Sequence, residues 1–250
     1  MRQILLLLIL VPLGLTGQRD YLDSLFVQAN KLYELRKYAE AANTYNRIVR
    51  QGYSHPNLYY NLGNAYYQLG RLGDAIWAYE KGLQLRPRDA DLRFNLMVSN
   101  ARTVDRVEVP DALFFLEWYG SLKRTFSPRQ WLNLISLTFF VSGLFYFGSR
   151  FGSARARYAL NKIVVAGLTI TVLSGLIFAD RYFDLSEKEE AIVIAKEGNV
   201  RSAPSDISNL LFVVHEGTKA AITNVQDPWV EIELIDGKKG WALSNRLRML

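Results

Sequence analysis

Two apolar runs, Trp131 to Phe147 and Ile163 to Phe178, constrain this chain more than any other feature. Each approaches the length a helix needs to cross a bilayer, roughly 20 residues for about 30 Å of hydrocarbon. No Asp or Glu occurs from Arg129 to Ala179, whereas Arg150, Arg155, Arg157 and Lys162 sit between the runs or at their edge. The pattern predicts a membrane hairpin with a positive elbow. Cytoplasmic loops carry the excess of Lys and Arg, so the elbow is expected in the cytoplasm and both flanking arms on the opposite side.

Charge follows the same division. Gln18 to Phe126 carries a net +3, Ser127 to Ala179 a net +5, and Asp180 to Leu250 a net −3. The high isoelectric point is therefore a property of the elbow. Nucleic-acid binding needs a basic face on a soluble domain, which neither arm supplies, so no nucleic-acid partner is expected. The start reads as an export signal: Met1-Arg2 is positive, Ile4 to Leu15 is apolar, and Leu15-Thr16-Gly17 precedes Gln18. Leu15 is large for a cleavage site, which leaves an uncleaved anchor as the alternative; in either case the first arm is exported. Without cysteine there is no lipid-modified start, disulfide or thiol chemistry.

Compared with itself, the first arm shows a period of 34. Ala29-Asn30 aligns with Gly63-Asn64, Leu32-Tyr33 with Tyr66-Tyr67, Ala41 with Ala75, and Tyr45 with Tyr79. The second copy reads Tyr59, Leu62-Gly63, Tyr66, Gly70, Ala75, Tyr79 and Pro87, and this resembles the tetratricopeptide repeat pattern. Gly63 and Ala75 are small where two helices cross, and Pro87 ends the second helix. Asp91 to Arg102 is expected as a third, capping helix, so the arm holds two full repeats and a cap.

The resemblance implies a concave surface lined by fixed positions of each first helix. Here those are Phe26, Asn30 and Tyr33, then Asn57, Tyr60, Asn64 and Tyr67, then Phe94. Asn offers both donor and acceptor to an extended peptide backbone, and Tyr and Phe offer rigid apolar area. The alternative is that these aromatics only pack between helices. Capture of a terminal carboxylate is not expected, because the positions that carry Lys or Arg in peptide clamps are Phe26, Tyr60 and Phe94 here. Asp111 to Phe126 is rich in aromatics and ends in Lys123-Arg124. It suits either the headgroup layer or packing on the repeats. Ser127-Pro128 has the residues of a helix start.

After Asp180 the apolar period changes to two, over Ala191 to Ala195, Leu210 to Val214, Ala220 to Thr223 and Trp229 to Leu234. Gly198, Pro204, Gly217, Asp236-Gly237 and Gly240 read as punctuation, and the whole as a small all-β barrel. Asp236-Gly237 is a hairpin signal. The runs Asn199 to Pro204, Glu216-Gly217-Thr218, Trp229-Val230, Asp236-Gly237 and Gly240-Trp241 are similar to bacterial SH3-like domains. That resemblance implies either a binder of wall peptides or protein segments, or a barrel without a ligand.

Nothing in the sequence reads as catalytic. His55 and His215 lie in different arms, no cysteine accompanies them, and no phosphate-binding glycine loop occurs. No cofactor and no metal are expected. The order of signal, tetratricopeptide repeats, hairpin and SH3-like domain resembles the BatE-type aerotolerance-operon family. The resemblance implies a non-enzymatic scaffold of the bacterial inner membrane, crossing it twice with both soluble arms periplasmic. Its implied partners are the lipid bilayer and protein or peptide segments, among them von Willebrand A domain membrane proteins encoded beside a MoxR-type ATPase. The alternative is a wall-associated module whose SH3-like domain binds peptidoglycan.

The chain is thus expected to be a multidomain membrane protein: an all-α repeat arm, two transmembrane helices and a small all-β SH3-like barrel. The expected divisions are a signal peptide at 1–17, repeats at 18–104, an amphipathic segment at 105–126 and a first span at 127–149. A basic cytoplasmic loop at 150–160, a second span at 161–179, a linker at 180–188 and the barrel at 189–250 complete it.

Overall fold

The computed structural model describes residues 14–105, 114–187 and 189–250. Most of the expected signal segment, the break at 106–110, and residues 111–113 and 188 lie outside them.

Five helices build the first arm: α1 (Gly14–Glu34), α2 (Tyr38–Arg50), α3 (Pro56–Gln68), α4 (Leu72–Leu85) and α5 (Ala90–Asn100). They pair as the period requires, α1 with α2 and α3 with α4, with α5 closing the stack as the expected cap. A Cβ added at Gly63 would enter the ring of Tyr79. That is why the second repeat needs glycine where α3 crosses α4. The first repeat holds fully buried Ala29 at the equivalent place. Gly70 turns the chain between α3 and α4 at φ +70°, and Arg36, 34 residues earlier, adopts the same left-handed conformation at φ 59°. The turn geometry is thus held even where glycine is not. At the second repeat's start, His55 Nδ1 accepts from the backbone N–H of Asn57, so His55 is the N-cap of α3.

A short helix, α6 (Phe114–Lys123), leads to two long ones, α7 (Pro128–Ser149) and α8 (Ala154–Glu187). Ser127 and Gln130 form a reciprocal capping box with Pro128 at the first helical position, as the sequence leads one to expect. Both long helices have the length and hydropathy to cross a membrane, with mean hydropathies of 1.5 and 2.1. Only 11% of each apolar window is buried. A core helix of a globular domain would be mostly buried. The two pack along a small polar seam: Thr138 and Thr171 hydroxyls lie 2.8 Å apart, and Ser142 fills the space a side chain at Gly167 would need. Small residues that let backbones approach are the usual basis of helix packing in lipid. Phe139, Phe140, Leu144, Val165, Val172 and Leu176 point outward, exposed. α8 extends past both ends of its apolar run, through residues 154–162 and 180–187.

The last unit is one antiparallel sheet of seven strands: β1 (Glu190–Val193), β2 (Glu197–Arg201), β3 (Leu210–His215), β4 (Lys219–Gln226), β5 (Trp229–Glu233), β6 (Lys239–Leu243) and β7 (Leu247–Met249). Their order is β3-β2-β6-β5-β4-β1-β7. The sheet curls so that Val193, Val200, Val214, Val230, Ile232 and Ala242 share one core. Gly237 makes the expected β5–β6 turn at φ +86°. Two glycines read as punctuation lie inside strands instead. A Cβ on Gly198 would press on Val214, and one on Gly240 would meet Val200 and the carbonyl of Arg201. They are places where strands approach closely, and for that reason β2 and β6 escape a reading based on alternation.

Candidate functional site

Two opposed surfaces of the repeat arm carry the polar chemistry. The first is the face formed by α1, α3 and α5, where the expected groove residues stand. Asn30, Tyr33 and Asn64 line one hollow of about 180 Å³ together with Asn61 and Tyr45. Phe26, Asn57 and Tyr60 line another of about 350 Å³, closed by Arg86, Asp89 and Asp91. Tyr67 lies apart, under the guanidinium of Arg102, and Phe94 is exposed on α5.

The asparagines have internal partners. Asn30 Oδ1 accepts from the Tyr45 hydroxyl at 2.6 Å and from Asn61 Nδ2 at 2.9 Å. Asn64 Oδ1 accepts from the Tyr79 hydroxyl and from Asn95 Nδ2, both at 2.8 Å. Every member of the second triad lies 34 residues beyond its counterpart in the first. Burial pushes the hydroxyls of Tyr45 and Tyr79 well above the ordinary tyrosine range, so both remain protonated donors. The triads seal the seam between successive repeats through the Oδ1 atoms of Asn30 and Asn64, so their Nδ2 groups take no part in these bonds. Sequence inspection places these asparagines on one face but misses Tyr45, Asn61, Tyr79 and Asn95 as their partners.

The second surface is the opposite side, around α4, and the SH3-like sheet covers it. Ile192 of β1 is fully buried within the helical arm's own core. Arg248 of β7 pairs with buried Asp74 at 2.6 Å, donates to the Tyr66 hydroxyl and to Asn46 Oδ1, and lies 3.4 Å above the Trp77 ring. The Trp77 indole N–H donates to the carbonyl of Met249 at 2.6 Å. Gly73 has no room for a side chain, because a Cβ there would strike the Val193 carbonyl.

The two units also cap one another. The α4 N-terminus has no side-chain cap from Arg71; instead the Gly73 N–H donates to the carboxylate of Glu216, from the β3–β4 turn, at 3.0 Å. Lys196 holds the other Glu216 oxygen at 2.6 Å. In return Asp105, just past α5, accepts from the His215 N–H, the Thr218 hydroxyl and the His215 ring, at 2.7, 2.6 and 2.7 Å. Burial pushes the Asp105 carboxyl upward, but the hydrogen bonds from Thr218 and His215 and the His215 charge outweigh it and hold it below its ordinary range. Both histidines of the chain are thereby engaged in structure.

On the sheet itself, Lys196, Asn199, Arg201, Asp206, Trp229 and Arg246 border a polar depression of about 500 Å³.

Comparison with known families agrees with this architecture. Residues 26–92 match the tetratricopeptide repeat family, and residues 196–248 match the bacterial SH3 domain family. A comparison with curated proteins gives no match. Both modules point to binding of protein, or of peptidoglycan, as the kind of work this chain does.

Proposed function

We propose that this chain is a non-enzymatic, two-pass scaffold of the bacterial inner membrane that holds an extended segment of a partner protein on the α1–α3–α5 face of its repeats. The observation that carries the proposal is the docking of the two soluble units on each other. Two units joined by a helical hairpin can touch only if both leave the membrane on the same side. The docked side of the arm is filled by the sheet, and the opposite side keeps two hollows with aromatic and asparagine walls. The basic elbow between α7 and α8 argues that this common side is periplasmic. The BatE-type resemblance makes a von Willebrand A domain membrane protein of the same operon the first partner to test.

The test is site-specific photo-crosslinking in native membranes, with a photoreactive residue at Tyr60 or Phe94 on the open face and at Asn43 on α2. The expected result is a discrete partner adduct from Tyr60 and Phe94 and none from Asn43. Equal adducts from all three positions would remove the groove from the proposal.

A second reading is favoured by the polar depression around Trp229. Its mixture of Lys196, Arg201, Arg246 and Asp206 suits a zwitterionic wall peptide. Cosedimentation of the full chain in detergent with purified sacculi, lost on Arg201→Ala, would support peptidoglycan as the ligand.

A further inference from the structure

Where the repeat arm, the sheet and the long helices meet, they enclose a chamber of about 420 Å³. Its charged walls are Glu80 of α4, Arg93 of α5, Arg124 after α6, Arg181 of α8, and Glu190 and Lys219 of the sheet. Among the described residues both carboxylates are served by Lys219, which lies 2.8 Å from Glu190 and 3.8 Å from Glu80. Arg93 donates its Nε–H to the Pro87 carbonyl. Neither Arg93 nor Arg124 has a carboxylate partner among the described residues. Burial raises the Glu80 carboxyl despite Lys219 beside it.

The register of the hairpin fixes the height of this chamber. Thr138 meets Thr171, and Ser142 meets Gly167, so α7 and α8 run antiparallel with one constant offset. Ten residues back along α7 and ten onward along α8, that offset brings Pro128 level with Arg181. Arg124, in the turn that leads into α7, lines the same chamber as Arg181. Both guanidiniums therefore stand at the end of the apolar spans, where a leaflet places its phosphates. The neighbouring α6 exposes Phe115 and Trp118, and its Tyr119 hydroxyl bonds Asp180 at 2.8 Å, which ties the helix to this same level. Aromatic side chains gather at that depth of a membrane.

We infer that the chamber is a site for the phosphodiester headgroup of an anionic phospholipid, clamped by Arg93 and Arg124, which locks the soluble units onto the membrane face. Guanidinium groups present paired N–H donors that match two phosphate oxygens. Two guanidiniums without a carboxylate partner among the described residues favour a headgroup of net negative charge over a zwitterionic one, whose ammonium would meet like charge. The inference rests on the two-pass membrane reading.

The experiment is native mass spectrometry of the full chain released from micelles, titrated separately with phosphatidylglycerol, phosphatidylethanolamine and inorganic phosphate. The wild-type chain is expected to retain one phosphatidylglycerol at least tenfold more tightly than phosphatidylethanolamine, with millimolar phosphate failing to displace it. Arg93→Gln with Arg124→Gln is expected to lower that affinity at least tenfold at an unchanged melting temperature, while Arg155→Gln at the elbow leaves it unchanged. Equal retention of the two lipids, or unchanged binding in the double variant, would overturn the inference. Displacement by phosphate would assign the chamber to a free anion instead. Flotation of the chain with liposomes separates the two levels: a chain that does not float refutes the membrane reading, whereas one that floats without lipid preference refutes only the headgroup site.

Discussion

The repeat arm presents two faces that follow different rules. The open face is periodic: Asn30, Tyr45 and Asn61 recur 34 residues later as Asn64, Tyr79 and Asn95, with the same bonds. The docked face is not. Tyr66, Gly73, Asp74 and Trp77 occupy positions held by Leu32, Ala39, Glu40 and Asn43 in the first repeat, and all four touch the sheet. Periodic residues build the repeat, and the departures from the period build the interface. In a chain of two repeats, the residues that break the pattern are thus a guide to what the arm is docked against.

The sharpest way to break the comparison is to destroy the arm that both faces share. Gly63→Leu forces a branched side chain into the Tyr79 ring, which is 1% exposed and cannot retreat without losing its bond to Asn64. Overpacking of this kind typically costs about 1–3 kcal/mol and more where the backbone must part. Circular dichroism melting of the full chain in detergent is expected to lose its helical-arm transition, and an unchanged melt would mean that α3 and α4 cross elsewhere.

The docked face alone is opened by Arg248→Ala. The substitution removes the partner of a carboxylate whose side chain is 5% exposed, leaving Asp74 to Arg71, itself half exposed. Truncating one member of a hydrogen-bonded, largely buried charge pair costs about 2–5 kcal/mol. Because the chain has no cysteine, spin labels at introduced Asn43→Cys and Thr223→Cys report the arm-to-sheet distance. A single narrow distance is expected in the parent and a broad distribution in Arg248→Ala, with the open face still binding its partner.

The open face is sharpened by pairing two substitutions. Asn64→Ala leaves the buried Tyr79 hydroxyl without its acceptor, a loss of about 1–3 kcal/mol, so the melting temperature is expected to fall. Tyr60→Ala touches no hydrogen bond of the triads and is expected to weaken partner capture with a smaller drop in melting. If Asn64→Ala melts like the parent, the triads do not support the seam between repeats.

Much of this organisation is legible in the sequence, for physical reasons that differ by region. Helical period, small residues at a crossing, Ser-Pro at a helix start and long apolar runs are local signals, and α2 to α5 and both long helices obey them. β2 and β6 do not, because Gly198 and Gly240 are chosen for close strand approach and so imitate turns. The interface is the least legible part. Its bonds join residues 110 to 202 apart in the chain, and Asp74, Glu216 and Arg248 each look like ordinary solvated charges until their partners arrive. The repeat pattern alone puts the groove residues on one face, but it does not reveal that two of the asparagines already bond within the arm.

The mildest perturbation is acid, and it acts through Asp105. A carboxyl held below its ordinary range when docked contributes stability that is fully present above its undocked value, about 3.9. That contribution is lost as the pH falls through the lower docked value. Glu80 acts with the opposite sign, since burial raises it: its penalty is relieved as the pH falls. The label distance is therefore expected to stay narrow from pH 7 to about 5 and to broaden below about 4, more steeply in Glu80→Gln, where the compensating group is gone. Asp105→Asn removes the charge that accepts from His215 and Thr218, so its docking is weaker throughout, by about 1.5–3 kcal/mol for bonds to a charged acceptor. The acid-dependent step is expected to vanish with it. A step of equal size in Asp105→Asn would show that another carboxylate controls the release, and the pairing of Glu216 with the α4 N-terminus would be the next place to look.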